Sequence, residues 1–288
     1  MSDLAELEAR IAAAEAQVPN MREGCAKRII WADGVPSRTQ QTVVFIHGFS
    51  ATGEELRPLP DLIAKGLGAN LFFTRLTGHG QDGDAIGRAT LADWQTDVTE
   101  ALEVGAGLGE EVIVIGCSTG CTLVALALAD GAQVKATIHV SPNFGLAHRV
   151  VQWLLDAPGA RHWAKYIAGR RRSFPPENAA HAKFWTLEYP TEAVHVMADA
   201  VRAARKADLS GITTPALFCY NRADRVVSAS ATDQVIARWG GPTDVVNLIQ
   251  RPEDDPNGHV MAGDTLSPGQ TAPLARQVLA WLDGLPAV

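Results

Sequence analysis

Five residues, Gly116-Cys117-Ser118-Thr119-Gly120, carry the first sign of chemistry in this chain. A serine hydroxyl becomes a useful nucleophile only when it is exposed, held still and set beside a base. Gly-x-Ser-x-Gly meets the first two needs when it forms a sharp turn between a strand and a helix. Both flanking elements are legible. Val112 to Ile115 is an apolar run of β-branched residues, the composition of a buried strand. Cys121 to Asp130 reads as a helix, and Gly131 as its stop. The two glycines leave room where strand and helix backbones nearly touch. The implied chemistry is attack of Ser118 on an electrophilic carbon, assisted by a base from elsewhere in the chain.

The elements that must hold such a turn form an alternating series. Thr42 to Ile46 is a fully buried strand that stops at His47-Gly48-Phe49-Ser50. A helix is expected over Glu54 to Leu67, with Glu54 and Glu55 suiting its positive N-terminal end. Asn70 to Arg75 is the next strand, ending in Leu76-Thr77-Gly78-His79-Gly80. A loop of Gly and Asp residues leads to a helix from Thr90, where Asp93 nearly completes a capping box. The strand at 112 and its helix follow, then a strand over Val134 to Val140. Strand and helix in alternation imply a parallel sheet with helices on both faces.

Ahead of this series, residues 3–17 read as a helix with a stripe of Leu4, Leu7, Ile11 and Val18. The stripe can pack on the domain or on a second subunit, giving a homo-oligomer. Lys27 to Trp31 is a short strand. After the series the pattern breaks. Residues 144–208 show no good strand, several helical pieces, and aromatics that include Trp153, Trp163, Trp185 and Tyr189. They hold ten Lys/Arg against six Asp/Glu in a chain whose net charge is −7. An aromatic helical insertion between core strands reads as a lid over a pocket, in preference to a plain helical subdomain. The sheet resumes at Pro215 to Tyr220. A helix over Ala229 to Trp239, a strand over Thr243 to Ile249 and a closing helix over Thr271 to Leu282 complete it. The expected organisation is a core of residues 1–143 and 209–288, with an N-terminal helix in 1–20, and a lid of 144–208.

Composition excludes several classes. The chain's 288 residues, 47% hydrophobic and 20% charged, suit a globular α/β protein. The acidic balance argues against a nucleic-acid partner. Arg170-Arg171-Arg172 is read as a solvated face in preference to a contact with nucleic acid or anionic membrane. Cys25, Cys117, Cys121 and Cys219 show no metal-ligand spacing. Three of them sit in or beside apolar runs, where a thiol behaves as a small buried hydrophobe, and reduced thiols in a cytoplasmic protein are expected. Residues 3–17 are acidic, unlike a signal peptide, and no apolar run is long enough for stable membrane insertion.

The layout resembles the α/β-hydrolase superfamily over about Lys27 to Leu285. Four places carry the resemblance: His47-Gly48 after the first long strand, Gly-x-Ser-x-Gly, Asp224 after the strand at 215–220, and His259 after the last strand. Serine, aspartate and histidine fall in the order described for that fold. It implies an α/β fold with a mostly parallel central sheet flanked by helices and a helical lid inserted after the sixth strand. The chain is most similar to capped carboxylesterases and monoacylglycerol-lipase-like enzymes, whose Gly-His-Gly element is matched by Gly78-His79-Gly80. The resemblance implies a catalytic triad of Ser118, Asp224 and His259. Asp254 and Asp255 are the alternative acids; they read as a solvated acidic loop. The implied oxyanion donors are the backbone N–H groups of Phe49 and Thr119. The single-glycine form of His47-Gly48-Phe49 leaves Phe49 as a pocket wall, and His47 and His79 read as structural.

The expected function is a serine hydrolase acting through an acyl-enzyme on a small apolar ester of short to medium chain, or on a monoacylglycerol. No metal or cofactor is implied. Thioester, amide and C–C hydrolysis on the same scaffold remain alternatives, as does a non-catalytic ligand-binding protein. Haloalkane dehalogenation is disfavoured, because that chemistry wants a carboxylate at position 118.

Overall fold

Apolar runs of β-branched and aromatic residues pair into one seven-stranded sheet. The computed structural model describes residues 3–157 and 159–286. The chain begins with α1 (Asp3–Ala16), β1 (Arg28–Ile30), β2 (Thr39–Ile46), α2 (Leu59–Leu67) and β3 (Asn70–Phe73). It continues through α3 (Gly83–Arg88), α4 (Leu91–Leu108), β4 (Gly109–Cys117), α5 (Thr119–Ala129) and β5 (Ala136–Val140). An insertion then contributes α6 (Arg149–Asp156), α7 (Ala160–Ala168), β6 (Arg171–Ser173), α8 (Ala179–Phe184), β7 (Glu188–Pro190) and α9 (Thr191–Lys206). Last come β8 (Ala216–Tyr220), α10 (Ala229–Ile236), β9 (Thr243–Asn247) and α11 (Pro268–Asp283).

The strand order is β1-β3-β2-β4-β5-β8-β9. Only β1 is antiparallel to its neighbour. Successive side chains of a strand face opposite ways, and here both faces are covered. Val43 and Phe45 of β2 join Leu59 and Ile63 of α2 and Val278 of α11. Val44 and Ile46 join Trp94 and Val98 of α4 and Leu123 of α5. Burying one such side chain stabilises the fold by roughly 1.5–3 kcal/mol. The α1 stripe packs on this same domain: Ile11 is buried, and Leu4 and Leu7 lie against the second cluster. A buried ion pair between Glu15 and Arg75 (2.7 Å) fastens the helix end.

Several boundaries differ from the expectation. The helix expected from Glu54 starts at Leu59. Pro60 sits in its first turn, where a residue without an N–H costs nothing, and the preceding residues form turns. The Gly/Asp loop contains α3, capped by Asp82, whose carboxylate accepts from the Ala85 N–H at 2.9 Å. Thr90 and Asp93 form the full capping box of α4. The insertion, expected to lack strands, carries the antiparallel pair β6–β7. Each of these strands has three residues and β6 is wholly exposed, so no hydrophobic alternation marks them. The insertion follows the fifth strand of the chain, not the sixth. Of the five strands that precede it, the short β1 is antiparallel to its neighbour β3.

Candidate active site

The sheet itself selects the place. From β2 the chain runs to β3 on one side, and then to β4 on the other. Loops leaving the carboxyl ends of β2 and β4 therefore diverge, and ligand crevices form at such switch points. Ile46 pairs with Gly116, so the His47-Gly48-Phe49 loop and Ser118 emerge side by side. A Cβ on Gly48 would lie 3.1 Å from the Ser118 Cβ, and one on Gly120 would lie 2.1 Å from the Ile46 carbonyl oxygen. Backbone blocks any side chain at Gly120, and a side chain at Gly48 would have to displace the Glu55 carboxylate. Ser118 has φ 49° and ψ −113°, outside the regions L-residues prefer. Three backbone bonds enforce it. The Ser118 N–H donates to the Val140 carbonyl (3.0 Å), and the Ser118 carbonyl accepts from Cys121 and Asn143, each at 3.1 Å. Such strain persists where the surroundings over-determine it.

Residues named from three separate strand ends meet here. His259 Nε2 lies 3.0 Å from Ser118 Oγ, and His259 Nδ1 lies 2.7 Å from Asp224 Oδ2. The other Asp224 oxygen accepts from the N–H groups of Val226 (2.7 Å) and Val227 (3.0 Å). A carboxylate acceptor places the proton on Nδ1, which leaves Nε2 to accept from the serine hydroxyl. Burial pulls the imidazole pKa down, but the Asp224 carboxylate, with Asp255 and Glu55, more than reverses this, and the net position is above 6.5.

Asp254 and Asp255 are not a solvated acidic loop. They are 5% and 4% exposed. Asp255 accepts from the N–H groups of Asn257 (3.0 Å), His259 (3.0 Å) and Val260 (2.8 Å). Asp254 accepts from the Arg251 N–H (2.8 Å) and Gln270 Nε2 (2.6 Å). Backbone donors of one tight turn replace water around Asp255, one backbone N–H and the Gln270 amide bond a single oxygen of Asp254, and the turn they shape presents His259. The Ser141 hydroxyl bonds the His259 carbonyl from the other side.

Two backbone N–H groups flank Ser118. Thr119 opens α5, where the first N–H groups lack an acceptor within the helix and the helix dipole is positive. Phe49 is oriented through His47. His47 Nε2 accepts from the Leu76 N–H (3.1 Å), so Nδ1 carries the proton and donates to the Gly48 carbonyl (2.9 Å). In a trans peptide C=O and N–H point in opposite directions, so the Phe49 N–H faces away from His47. Burial lowers the His47 pKa to about 4, which keeps the ring neutral in this role. His79 packs beside it, with ring centroids 5.0 Å apart.

The insertion roofs a cavity of about 750 Å³ that contains Ser118 and His259. Its apolar wall includes Phe49, Leu154, Leu155, Trp163, Phe174 and Tyr189. The roof is tied to the β2 loop. Thr186 donates to the Ser50 carbonyl (2.7 Å), and the Tyr189 ring meets Phe49 edge-on at 5.1 Å. The cavity also exposes Glu55 and Asn143, which sequence reasoning missed as site residues. For Glu55 the signal is an acidic pair following His-Gly-Phe on a segment that does not become helix. Cys117 is buried, and burial holds its thiol well above its ordinary pKa, so it is no second nucleophile. Among the described residues no cluster of three or more His, Cys, Asp or Glu is placed to hold a metal ion, and no helix is long and apolar enough to cross a membrane.

A family model described as "Alpha/beta hydrolase family" matches residues 43–280. Among curated proteins, a thermostable monoacylglycerol lipase from Bacillus sp. (strain H-257) is 35% identical over 81 residues. That stretch spans 28% of this chain and 32% of the relative's length. One of the metagenome-derived lipolytic enzymes LipS and LipT superposes with a TM-score of 0.73 at 18% identity, covering 92% of this chain and 100% of its own. A soluble variant of monoglyceride lipase from Saccharomyces cerevisiae, solved with a substrate analog, gives 0.67 at 14% identity, covering 91% and 92%. At these identities the structural likeness concerns the fold.

Proposed function

The chain belongs to the alpha/beta hydrolase family, and from that premise we propose that it is a serine hydrolase cleaving small apolar carboxylic esters. The observation that carries this is the line of hydrogen bonds from Ser118 through His259 to Asp224, opening on an apolar cavity. Ser118 Oγ attacks the ester carbonyl carbon while His259 Nε2 takes its proton. The N–H groups of Phe49 and Thr119 hold the tetrahedral oxyanion, interactions that strengthen as charge develops. Collapse breaks the C–O bond, and the alcohol leaves with the proton from Nε2. Water, deprotonated by the same nitrogen, then attacks the acyl-Ser118 ester and the acid departs. Asp224 supports the imidazolium through its hydrogen bond to Nδ1.

Residues 144–208 act as the lid in this reading, and their apolar wall takes the acyl chain. Short to medium acyl esters fit this lining. The monoacylglycerol lipase among the relatives supports a monoacylglycerol-like alternative of the same class. Four buried free thiols support a reducing, cytoplasmic setting.

The test is kcat/KM on a panel of p-nitrophenyl esters and a monoacylglycerol across pH. His259 works as a base only when neutral, so activity falls as pH drops through its pKa. Because that pKa is raised, the acid limb lies above 6.5. Absence of ester turnover, or activity that climbs as pH falls, removes the proposal.

A further inference from the structure

Glu55 sits on the floor of the cavity, 2% exposed. One oxygen accepts from the Gly48 N–H at 2.6 Å. A Cβ on Gly48 would lie 2.9 Å from the other oxygen and 3.1 Å from the Ser118 Cβ. The carboxyl therefore lies across a glycine from the nucleophile. Its place is fixed by turns and not by a helix. The Glu55 N–H donates to the Thr52 carbonyl (3.0 Å), and its own carbonyl is crowded by Gly263, where a Cβ would approach to 2.6 Å. The neighbouring Glu54 turns the other way, to Arg28 and Arg57. The titratable groups facing Glu55 are His259, Cys117 and Cys121; none of these is a permanent cation.

We propose that Glu55 is a positioning residue of the hydrolytic site, fixing the Gly48 peptide that leads to the Phe49 N–H and acting on His259 as a further carboxyl besides Asp224 and Asp255. The inference rests on the hydrolase reading above. Two peptide units are gripped in succession: Glu55 takes the Gly48 N–H, and His47 takes the Gly48 carbonyl. Together they fix the plane that carries the Phe49 donor. An uncharged acceptor would satisfy one N–H without burying an ionisable group, which is costly. What a carboxyl adds is a charge that favours the imidazolium formed at each proton transfer. Burial raises Glu55 from an ordinary 4.5 to about 7, so this charge develops as pH rises through neutrality.

Two variants separate the parts. Glu55→Gln keeps an acceptor for Gly48 and removes the charge; Glu55→Leu removes both. The glutamine variant is expected to lose about threefold in kcat and to move the acid limb down by about half a pH unit, as one lost interaction between buried charges would do. The leucine variant is expected to lose about 30-fold in kcat with KM within about twofold, the effect of a misplaced donor. Folding is checked by Tm against pH, with an expected sign. A carboxyl raised from 4.5 to about 7 on folding gives stability that is present below 4.5 and lost as pH rises through about 7. Wild type therefore loses Tm relative to Glu55→Gln between those values. Wild type and both variants are also treated with a fluorophosphonate. Wild type that resists the probe overturns the hydrolase reading and this inference with it. Wild type that reacts, beside variants equal to it in kcat and acid limb, overturns the Glu55 role alone. So does a glutamine variant as impaired as the leucine variant with its acid limb unmoved.

Discussion

Replacing Ser118 with alanine lowers kcat for ester hydrolysis by about 10⁴- to 10⁶-fold. The hydroxyl is the atom that forms the bond to the acyl carbon, and no other group stands in its place. Cys117 is buried with its thiol held protonated, and among the described residues no other hydroxyl is hydrogen-bonded to His259 Nε2. The N–H groups of Phe49 and Thr119 remain, so slight catalysis by activated water survives, as when one member of such a unit is removed. The fold is expected to stand. Position 118 keeps its φ of 49°, a strain alanine shares with serine, and the three backbone bonds at the turn do not use the side chain. Steady-state hydrolysis of a p-nitrophenyl ester, paired with a thermal melt, measures both. A Ser118→Ala protein that keeps more than about 1% of wild-type kcat is incompatible with the mechanism above.

The second large effect falls on Asp224. Asp224→Asn is expected to lower kcat by roughly 10⁴-fold with little change in Tm. An amide can donate to Nδ1, which moves the imidazole proton to Nε2, where it faces Ser118 and blocks the base. Asp255→Asn supplies the contrast. Asp255 is closer to His259 in sequence, yet its oxygens bond backbone N–H groups of residues 257, 259 and 260 and not the ring. Its replacement weakens the turn and costs about 1–3 kcal/mol of stability, with a smaller loss of kcat than Asp224→Asn. Measuring kcat and Tm for both variants decides the assignment. A reversed ranking in kcat would transfer the role of the acid to Asp255.

How much of this was legible in the sequence follows from where each force originates. β2, β4, β5 and β8 are buried on both faces, so their apolar runs announce themselves without tertiary information. Gly-x-Ser-x-Gly is equally plain as a pattern, although only the demand on Gly116 is local; Gly120 is set by the Ile46 carbonyl of β2. Asp224 and His259 were named from their places after strands, and the sheet brings them to Ser118. Asp254 and Asp255 read as solvated because charge is normally outside. Their hydrogen bonds come instead from backbone N–H groups and, for Asp254, the Gln270 amide, which meet them only once the turn has formed. Glu55 reads as a helix-terminal acid, whereas the prolines at 58 and 60 mark the true start of α2. The strands β6 and β7 carry no buried face, and nothing in three residues distinguishes them from loop.

The proposal that Ser118 is an activated nucleophile has a direct measurement. Wild-type protein is incubated with a fluorophosphonate at pH 8 and analysed by intact mass and peptide mapping. The expected result is one phosphonyl group per chain, on Ser118, with loss of fluoride and of ester hydrolysis together; Ser118→Ala and His259→Ala are unlabelled over the same time. Wild type that stays unmodified while folded, or that carries the label on another residue, contradicts a nucleophilic Ser118.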